Sequence, residues 1–169
     1  MSTYLVLTII ADDKPGIVEH LASTIADHGG NWLESRMAQM AGKFAGILRV
    51  SIDEEKANYL ISALSSLGTK GIQVKVEDPA AINTESGAHM NISVVGNDRP
   101  GIVREVSQAL ASLGVNVLEL TTSCEPAEMS AVPLFRSEAL VSVPSSVDTD
   151  DISTALEALS DDLMVEIES

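Results

Sequence analysis

The chain of 169 residues has very little of several things that whole classes of protein depend on. Cys124 is its single cysteine, so no internal disulfide can form, which agrees with a reducing compartment. Aromatic residues make up 3% of the sequence and leave few side chains to stack on nucleic-acid bases. Ten Lys and Arg stand against 25 Asp and Glu, a net charge of −15, which disfavours binding to nucleic acid or to an anionic membrane surface. A gene regulator of this composition would act by contacting another protein.

Targeting and catalytic signals are also missing. No apolar run approaches the length of a membrane span, and the first residues show no signal peptide, so we expect a cytoplasmic protein. His20 and His28 lie eight residues apart on one helix and His89 lies near a strand, a spacing that does not favour a metal site. Cys124 has no histidine near it in sequence, and no phosphate-binding glycine loop is present. The sequence therefore predicts no enzyme, no catalytic residue, no metal and no cofactor.

What the chain does have is an internal repeat. The segment Asp-Lys-Pro-Gly-Ile-Val at 13–18 returns 85 residues later as Asp-Arg-Pro-Gly-Ile-Val at 98–103. The downstream residues Gly29, Asn31, Leu33 and Glu34 return at the same offset as Gly114, Asn116, Leu118 and Glu119. A constant offset over some twenty residues indicates a duplicated structural unit.

Hydrophobic periodicity predicts the same order of elements in both halves: strand, helix, strand, strand, helix, strand. In the first half the predicted strands are 3–10, 31–40, 44–52 and 72–76, with a hairpin turn at 41–43. The predicted strands of the second half are 90–95, 116–123, 138–143 and 163–167. The inward helix positions are expected to be Val18, Leu21, Ala22, Ile25, Ala57, Leu60, Ile61 and Leu64, then Val103, Val106, Leu110, Ile152, Ala155, Leu156 and Leu159.

This order predicts an α+β protein with two ferredoxin-like βαββαβ domains, each a four-stranded antiparallel sheet with two helices on one face. We expect domains at 1–77 and 88–169, joined by a linker at 78–87. The hairpin of the second domain, about 124–136, carries an insertion relative to the first. Long hairpin connections are often functional, although a benign insertion is an equal alternative.

The repeated turn is the candidate ligand site. Its proline suits the first position of a helix, its glycine admits close approach, and the first helical N–H groups are free to meet a carboxylate. Asp13 and Asp98 could face an ammonium group, and Asn31 and Asn116 could complete the recognition of a free amino acid. An ordinary strand-to-helix turn without ligand remains the alternative. The predicted ligand-binding residues are Asp13, Pro15, Gly16, Ile17, Asn31, Asp98, Pro100, Gly101, Ile102 and Asn116.

The Asp-x-Pro-Gly-Ile-Val turn and the Gly-x-Asn-x-Leu-Glu strand entry resemble those of ACT domains, the βαββαβ modules that sense amino acids, over nearly the whole chain. Within that family, the unequal hairpins at 42–46 and 124–135 resemble those of the glycine cleavage system transcriptional repressor group. The resemblance implies a repressor that acts on a transcriptional activator without binding DNA, with glycine as the favoured ligand. A homodimer is possible.

Two other functions stay open at this point. The chain could be a separate regulatory subunit that tunes an enzyme of an amino-acid pathway. It could also be a structural dimerisation module with an empty site.

Overall fold

The computed structural model describes residues 1–77, 87–126 and 132–169, which form two compact units, Met1–Ile82 and Asn83–Ser169. The linker predicted at 78–87 lies outside the described residues except for Gly87. Each unit has the predicted order of elements and is described by itself below.

Six main elements make up the first unit. They are β1 (Ser2–Asp12), α1 (Ile17–Asp27), β2 (Asn31–Met40), β3 (Lys43–Asp53), α2 (Glu54–Ser66) and β4 (Ile72–Glu77), with a 3₁₀ turn at Leu67–Lys70 before β4. The strands form an antiparallel sheet in the order β2-β3-β1-β4. Alternate residues of β1 and β3 face the helices and are fully buried, as are Leu21, Ile25, Leu60 and Leu64 of the helices. One sheet face therefore carries the core, and no helix within residues 1–77 packs on the other.

The second unit repeats this plan. Its elements are β5 (Ala88–Asn97), α3 (Ile102–Ser112), β6 (Asn116–Glu125), β7 (Leu134–Val143), α4 (Thr149–Glu157) and β8 (Met164–Glu168). The sheet order is β6-β7-β5-β8, again antiparallel. A separate core of buried residues, which includes Val94, Leu110, Val141 and Leu156, lies between this sheet and its helices. The predicted fold class is confirmed for both units.

The two hairpins differ as the sequence predicts. In the first unit, Ala41 (φ 50°) and Gly42 (φ 80°) form a two-residue turn, and the left-handed conformation of both matches a type I′ hairpin. In the second unit, β6 ends at Glu125 and β7 begins at Leu134, so the connection is longer. Residues 127–131 of this connection lie outside the described residues.

The start of each first helix differs from the prediction. Pro15 and Pro100 do not open α1 and α3, because Gly16 (φ 96°, ψ −2°) and Gly101 (φ 85°, ψ 1°) are left-handed and stand before the first helical residue. A proline followed by a glycine with these angles is the pair that a type II β-turn needs at its centre. In the second unit the closing bond of that turn runs from the Ile102 N–H to the Arg99 carbonyl at 3.4 Å.

The later helix start changes which residues face the core. Ile17, Leu21 and Ile25 of α1 are buried, whereas the predicted inward residues Val18 and Ala22 are exposed. In α3 the buried residues are Ile102, Val106 and Leu110, and Val103 is exposed where the sequence predicts it inward. The predicted Leu21, Ile25, Val106 and Leu110 are buried, whereas Val18, Ala22 and Val103 each lie one position after a buried residue.

Candidate functional site

The repeated turn joins β1 to α1 and is tied to the hairpin beside it. The Asp13 N–H donates to the Gly42 carbonyl at 2.9 Å, and in the second unit the Asp98 N–H donates to the Pro133 carbonyl at 2.9 Å. Asp12 and Lys43 form an ion pair across the same place in the first unit, and Lys43 lowers the pKa of Asp12 by its hydrogen bond and its charge. Each turn is therefore fixed against the β2–β3 or β6–β7 hairpin end.

The helix that follows each turn has no side-chain cap. Gly16 and Gly101 are the cap residues of α1 and α3, and neither can offer a side-chain oxygen to the first N–H groups. The Gly16 carbonyl accepts the His20 N–H at 2.9 Å, which begins the helical bonding. Helix N–H groups ahead of that bond have no partner inside a helix, and the helix dipole favours negative charge there. The geometry suits a carboxylate at the start of α1.

The side chains around the start of α3 make different contacts from those around the start of α1. Arg99 Nη1 lies 2.5 Å from Glu105 Oε2, so a carboxylate already occupies the first turn of α3. The residue of α1 that corresponds to Glu105 at the repeat offset is His20, whose ring lies 3.8 Å from the position of a β-carbon on Gly16. Lys14, the counterpart of Arg99, instead donates from Nζ to the Lys70 carbonyl at 2.9 Å. The first turn of each helix contains one acidic residue, Glu19 in α1 and Glu105 in α3, so the two copies differ in the position of that charge.

Further contacts hold the second turn. The Asn97 N–H donates to Asp162 Oδ2 at 2.8 Å, and bonds from Ser160 and Asn97 lower the pKa of the Asp162 carboxyl. Partial desolvation raises the pKa of the Cys124 thiol, and the hydrogen bond and charge of the Asp98 carboxylate raise it further. Asp98 thus already has a partner on β6.

The predicted asparagines lie far from the predicted aspartates of the same domain. Asn31 pairs with Ser51, and Ser51 pairs with Tyr4, which is eight residues before Asp12 along β1. At about 3.3 Å per strand residue, Asn31 is roughly 26 Å along the sheet from the turn. Asn116 has the equivalent position opposite Ser142 in the second unit. The structure brings Asp13, Pro15, Gly16 and Ile17 together, and separately Asp98, Pro100, Gly101 and Ile102, but it joins neither asparagine to its domain's turn.

The repeated spacing around each asparagine has a structural role that the sequence analysis missed. The pairing of β2 with β3 shifts between Trp32 and Glu34, and that of β6 with β7 shifts between Val117 and Glu119. Leu33 and Leu118 are therefore the extra residues of two β-bulges. Both occupy edge strands, and the repeated Asn-x-Leu-Glu sequence is the signal that could have indicated the same irregularity twice.

Other kinds of site are not found in the part of the chain that the structure describes. Within residues 1–77, 87–126 and 132–169, no three His, Cys, Asp or Glu side chains are grouped so as to hold a metal ion. No helix in those same ranges is both long enough and apolar enough to cross a bilayer.

Comparison with known proteins agrees with the fold. Residues 3–77 and residues 90–163 each match a model of the ACT domain. The chain belongs to the ACT-domain family. The resemblance stated from the turn and strand-entry motifs is thereby confirmed, and the two matches follow one another along nearly the whole chain.

Three proteins illustrate the relationship. The glycine cleavage system transcriptional repressor of Escherichia coli (strain K12) is 25% identical over 165 residues, which cover 95% of this chain and 85% of that protein. ACT domain-containing protein ACR3 of Arabidopsis thaliana is 25% identical over 114 residues, 63% of this chain and 25% of that protein. A crystal structure of an unknown protein from Galdieria sulphuraria superposes with a TM-score of 0.88 at 27% identity, covering 99% of this chain and 98% of the other. These relatives and the tandem ACT domains support a regulator that senses an amino acid.

Proposed function

We propose that this ACT-domain protein is a cytoplasmic, amino-acid-sensing repressor of glycine cleavage system transcription that acts by contacting a protein partner. The observation that carries the proposal is similarity to the Escherichia coli repressor through both domains, over 95% of this chain. The net charge of −15 favours a transcriptional activator as the partner over the DNA itself, because phosphate neutralisation needs Lys and Arg.

Within this proposal the ligand is glycine, and the first domain holds it. The carboxylate meets the uncapped start of α1, where no acidic side chain takes the place that Glu105 has in α3. Asp13 supplies the negative charge for the ammonium group, and His20 and Lys14 surround the turn. The turn of the second domain has a structural role. There Arg99 is paired with Glu105, and Asp98 interacts with Cys124.

Asn31 and Asn116 are proposed to contribute to ligand recognition separately from the aspartates of the turns. Because each lies at the opposite end of its sheet from the turn, one small ligand cannot touch Asp13 and Asn31 of one domain at once. Their contribution is therefore measured independently of the aspartates.

Ligand size limits the affinity. Glycine has five heavy atoms, and a ceiling of about 1.5 kcal/mol per atom gives at most about 7–8 kcal/mol. This corresponds to a dissociation constant of a few micromolar at best, suited to sensing a metabolite pool.

Isothermal titration of the full chain with glycine, then with serine and other amino acids, tests the sensor. We expect selective heat with glycine at micromolar to millimolar concentration. The heat should be lost in Asp13→Ala and in His20→Glu, which gives the first turn the second turn's acidic residue. The matched variants Asp98→Ala and Glu105→Gln should keep it, and Asn31→Ala and Asn116→Ala should report on the opposite sheet ends.

The outcomes separate the alternatives. Loss of heat in Asp98→Ala alone would move the site to the second domain, and heat only with another amino acid would remove glycine from the assignment. No heat with any amino acid would contradict the sensor. Co-purification of a transcriptional activator with the tagged chain supports the repressor, whereas a biosynthetic enzyme in its place would favour a separate regulatory subunit.

A further inference from the structure

The sheet face of the first domain opposite its own two helices has several large apolar side chains that are partly exposed; we call it the open face. It is formed by every second residue of β1, β2, β3 and β4. Tyr4, Ile10, Met40 and Ile47 of the open face are 47%, 47%, 73% and 52% exposed. Exposing these large apolar side chains to water is energetically unfavourable.

The centre of the open face is a hollow of about 210 Å³. Val6 and Ile47 line its floor, and Glu34, Arg36 and Arg49 stand around it. Arg49 Nε donates to Glu34 Oε1 at 2.9 Å, and its guanidinium lies 5.4 Å from the centre of the Tyr4 ring. An apolar centre is thus surrounded by charged groups of both signs.

Charge on the open face is balanced, in contrast with the chain as a whole. The face carries four cations, Arg36, Lys43, Arg49 and Lys75, and four acids, Asp12, Glu34, Asp53 and Glu77. The net charge of the chain is −15. Two copies that approach by this face therefore bring together a neutral surface with interleaved signs, whereas a strongly acidic surface would be repelled by its own copy.

The repeat provides an internal comparison for this surface. Strand register makes Tyr4, Val6, Ile47 and Lys75 equivalent to His89, Asn91, Glu138 and Glu166 of the second domain. At these four positions the second domain has polar or acidic residues, although Ile10 and Arg49 correspond to the apolar Val95 and Leu140. The fold therefore does not require apolar residues at the positions of Tyr4, Val6 and Ile47.

The size of the open face is sufficient for a stable contact. Four strands at about 4.8 Å spacing and about 30 Å of strand length give roughly 600 Å² per copy. Two such faces bury about 1,200 Å², above the roughly 1,000 Å² that separates specific interfaces from incidental ones.

We propose that the open face binds the open face of a second copy of the chain, sheet against sheet about a twofold axis that passes near Ile47. The Ile47 and Val6 side chains of the two copies then face one another across the axis, and the arginines and Glu34 surround that apolar contact. This assembly does not depend on the amino acid proposed for the turn.

Sedimentation velocity of the full chain over a range of concentrations tests the proposal. We expect a dimer for the natural sequence and a monomer for Ile47→Glu, the residue found at the equivalent position of the second domain. The substitution occurs twice in a twofold contact, so the dissociation constant should rise at least about 100-fold. Tyr59→Glu is the matched control, since Tyr59 is 71% exposed on α2, on the helix side of the domain, and should leave the dimer intact.

Circular dichroism of each variant verifies that the fold is retained, as expected for a half-exposed position. Tyr4→Glu, at the edge of the hollow, provides a second disruption and should also give a monomer. A natural chain that stays monomeric at high micromolar concentration would overturn the proposal, as would a dimer that survives both Ile47→Glu and Tyr4→Glu. Glycine titration of the monomeric variant separates this result from the sensor, because binding at the turn should persist.

Discussion

Gly16 and Gly101 hold the backbone angles that decide where the first helix of each domain begins. Their φ values of 96° and 85° lie in the left-handed region, which only glycine enters at little cost. A Pro-Gly sequence is compatible with both a helix start and the centre of a type II turn, because glycine can adopt the φ value of either one. Prediction from sequence therefore located the turn correctly and placed its proline on the wrong side of the helix boundary.

The glycine conformation has a measurable consequence. We expect Gly16→Ala to lower the free energy of unfolding by about 1–2 kcal/mol, because alanine is strained in the left-handed region. A β-carbon there would meet only His20 at 3.8 Å, an ordinary contact, so the cost is conformational. Urea unfolding measures it, and Gly68→Ala is the control: Gly68 has no positive φ and open space at its β-carbon position. Equal stability of Gly16→Ala and the natural chain would contradict the assigned turn.

Some of the candidate site was available from the sequence, and some was not. The repeat offset already pairs His20 with Glu105 and Lys14 with Arg99, so a difference in the position of charge between the turns could have been predicted. The distance between Asp13 and Asn31 could not, because it depends on β3 lying between β1 and β2 and on the register of both pairings. Two motifs that are close in the chain stand at opposite ends of the sheet.

At the scale of elements, alternation of apolar residues predicted all eight strands to within a few residues, since a strand alternates with period two whichever face is buried. Helix faces were predicted less well. In α1, both Ile17 and Val18 are apolar, and each begins a row of residues that could face a core. The buried row is the one that starts at Ile17, because that residue is the first after the type II turn.

Neighbouring residues of α1 therefore give opposite results when they are truncated. Ile17→Ala should cost about 2–5 kcal/mol of stability, because it empties space in the core. Val18→Ala, at a position that is 47% exposed, should change stability by no more than about 0.5 kcal/mol. Denaturant midpoints of the two variants compare them directly. A loss at Val18 as large as that at Ile17 would mean that α1 is rotated about its axis.

For the whole molecule, the two domains share a fold and differ in charge. Residues 1–77 contain seven Lys and Arg against nine Asp and Glu, whereas residues 87–169 contain three against fourteen. The excess of negative charge thus belongs to the second domain, which also has Glu138, Glu166 and Glu168 on one sheet face. The net charge of −15 for the whole chain does not reveal this difference in charge between the two domains.

Self-repulsion of this charge should make stability depend on salt. We expect the melting temperature to rise by about 2–4 °C between low salt and about 0.3 M sodium chloride, because salt screens repulsion among exposed carboxylates. Differential scanning calorimetry measures the rise. A variant with Glu138, Glu166 and Glu168 changed to Gln should show a smaller one. A melting temperature that falls with salt would mean that attractive ion pairs outweigh the repulsion.

The bulges at Leu33 and Leu118 should oppose polymerisation through the sheet edges. Each sheet ends in one long edge strand, β2 or β6, and one short one, β4 or β8. An uninterrupted, flat edge offers its free N–H and C=O groups to a strand from any other molecule, which is the first step towards fibres. In this chain each long edge is interrupted by a bulge, and each short edge has at most six residues. Sheets can therefore be left uncovered on one side while their edges resist runaway strand addition.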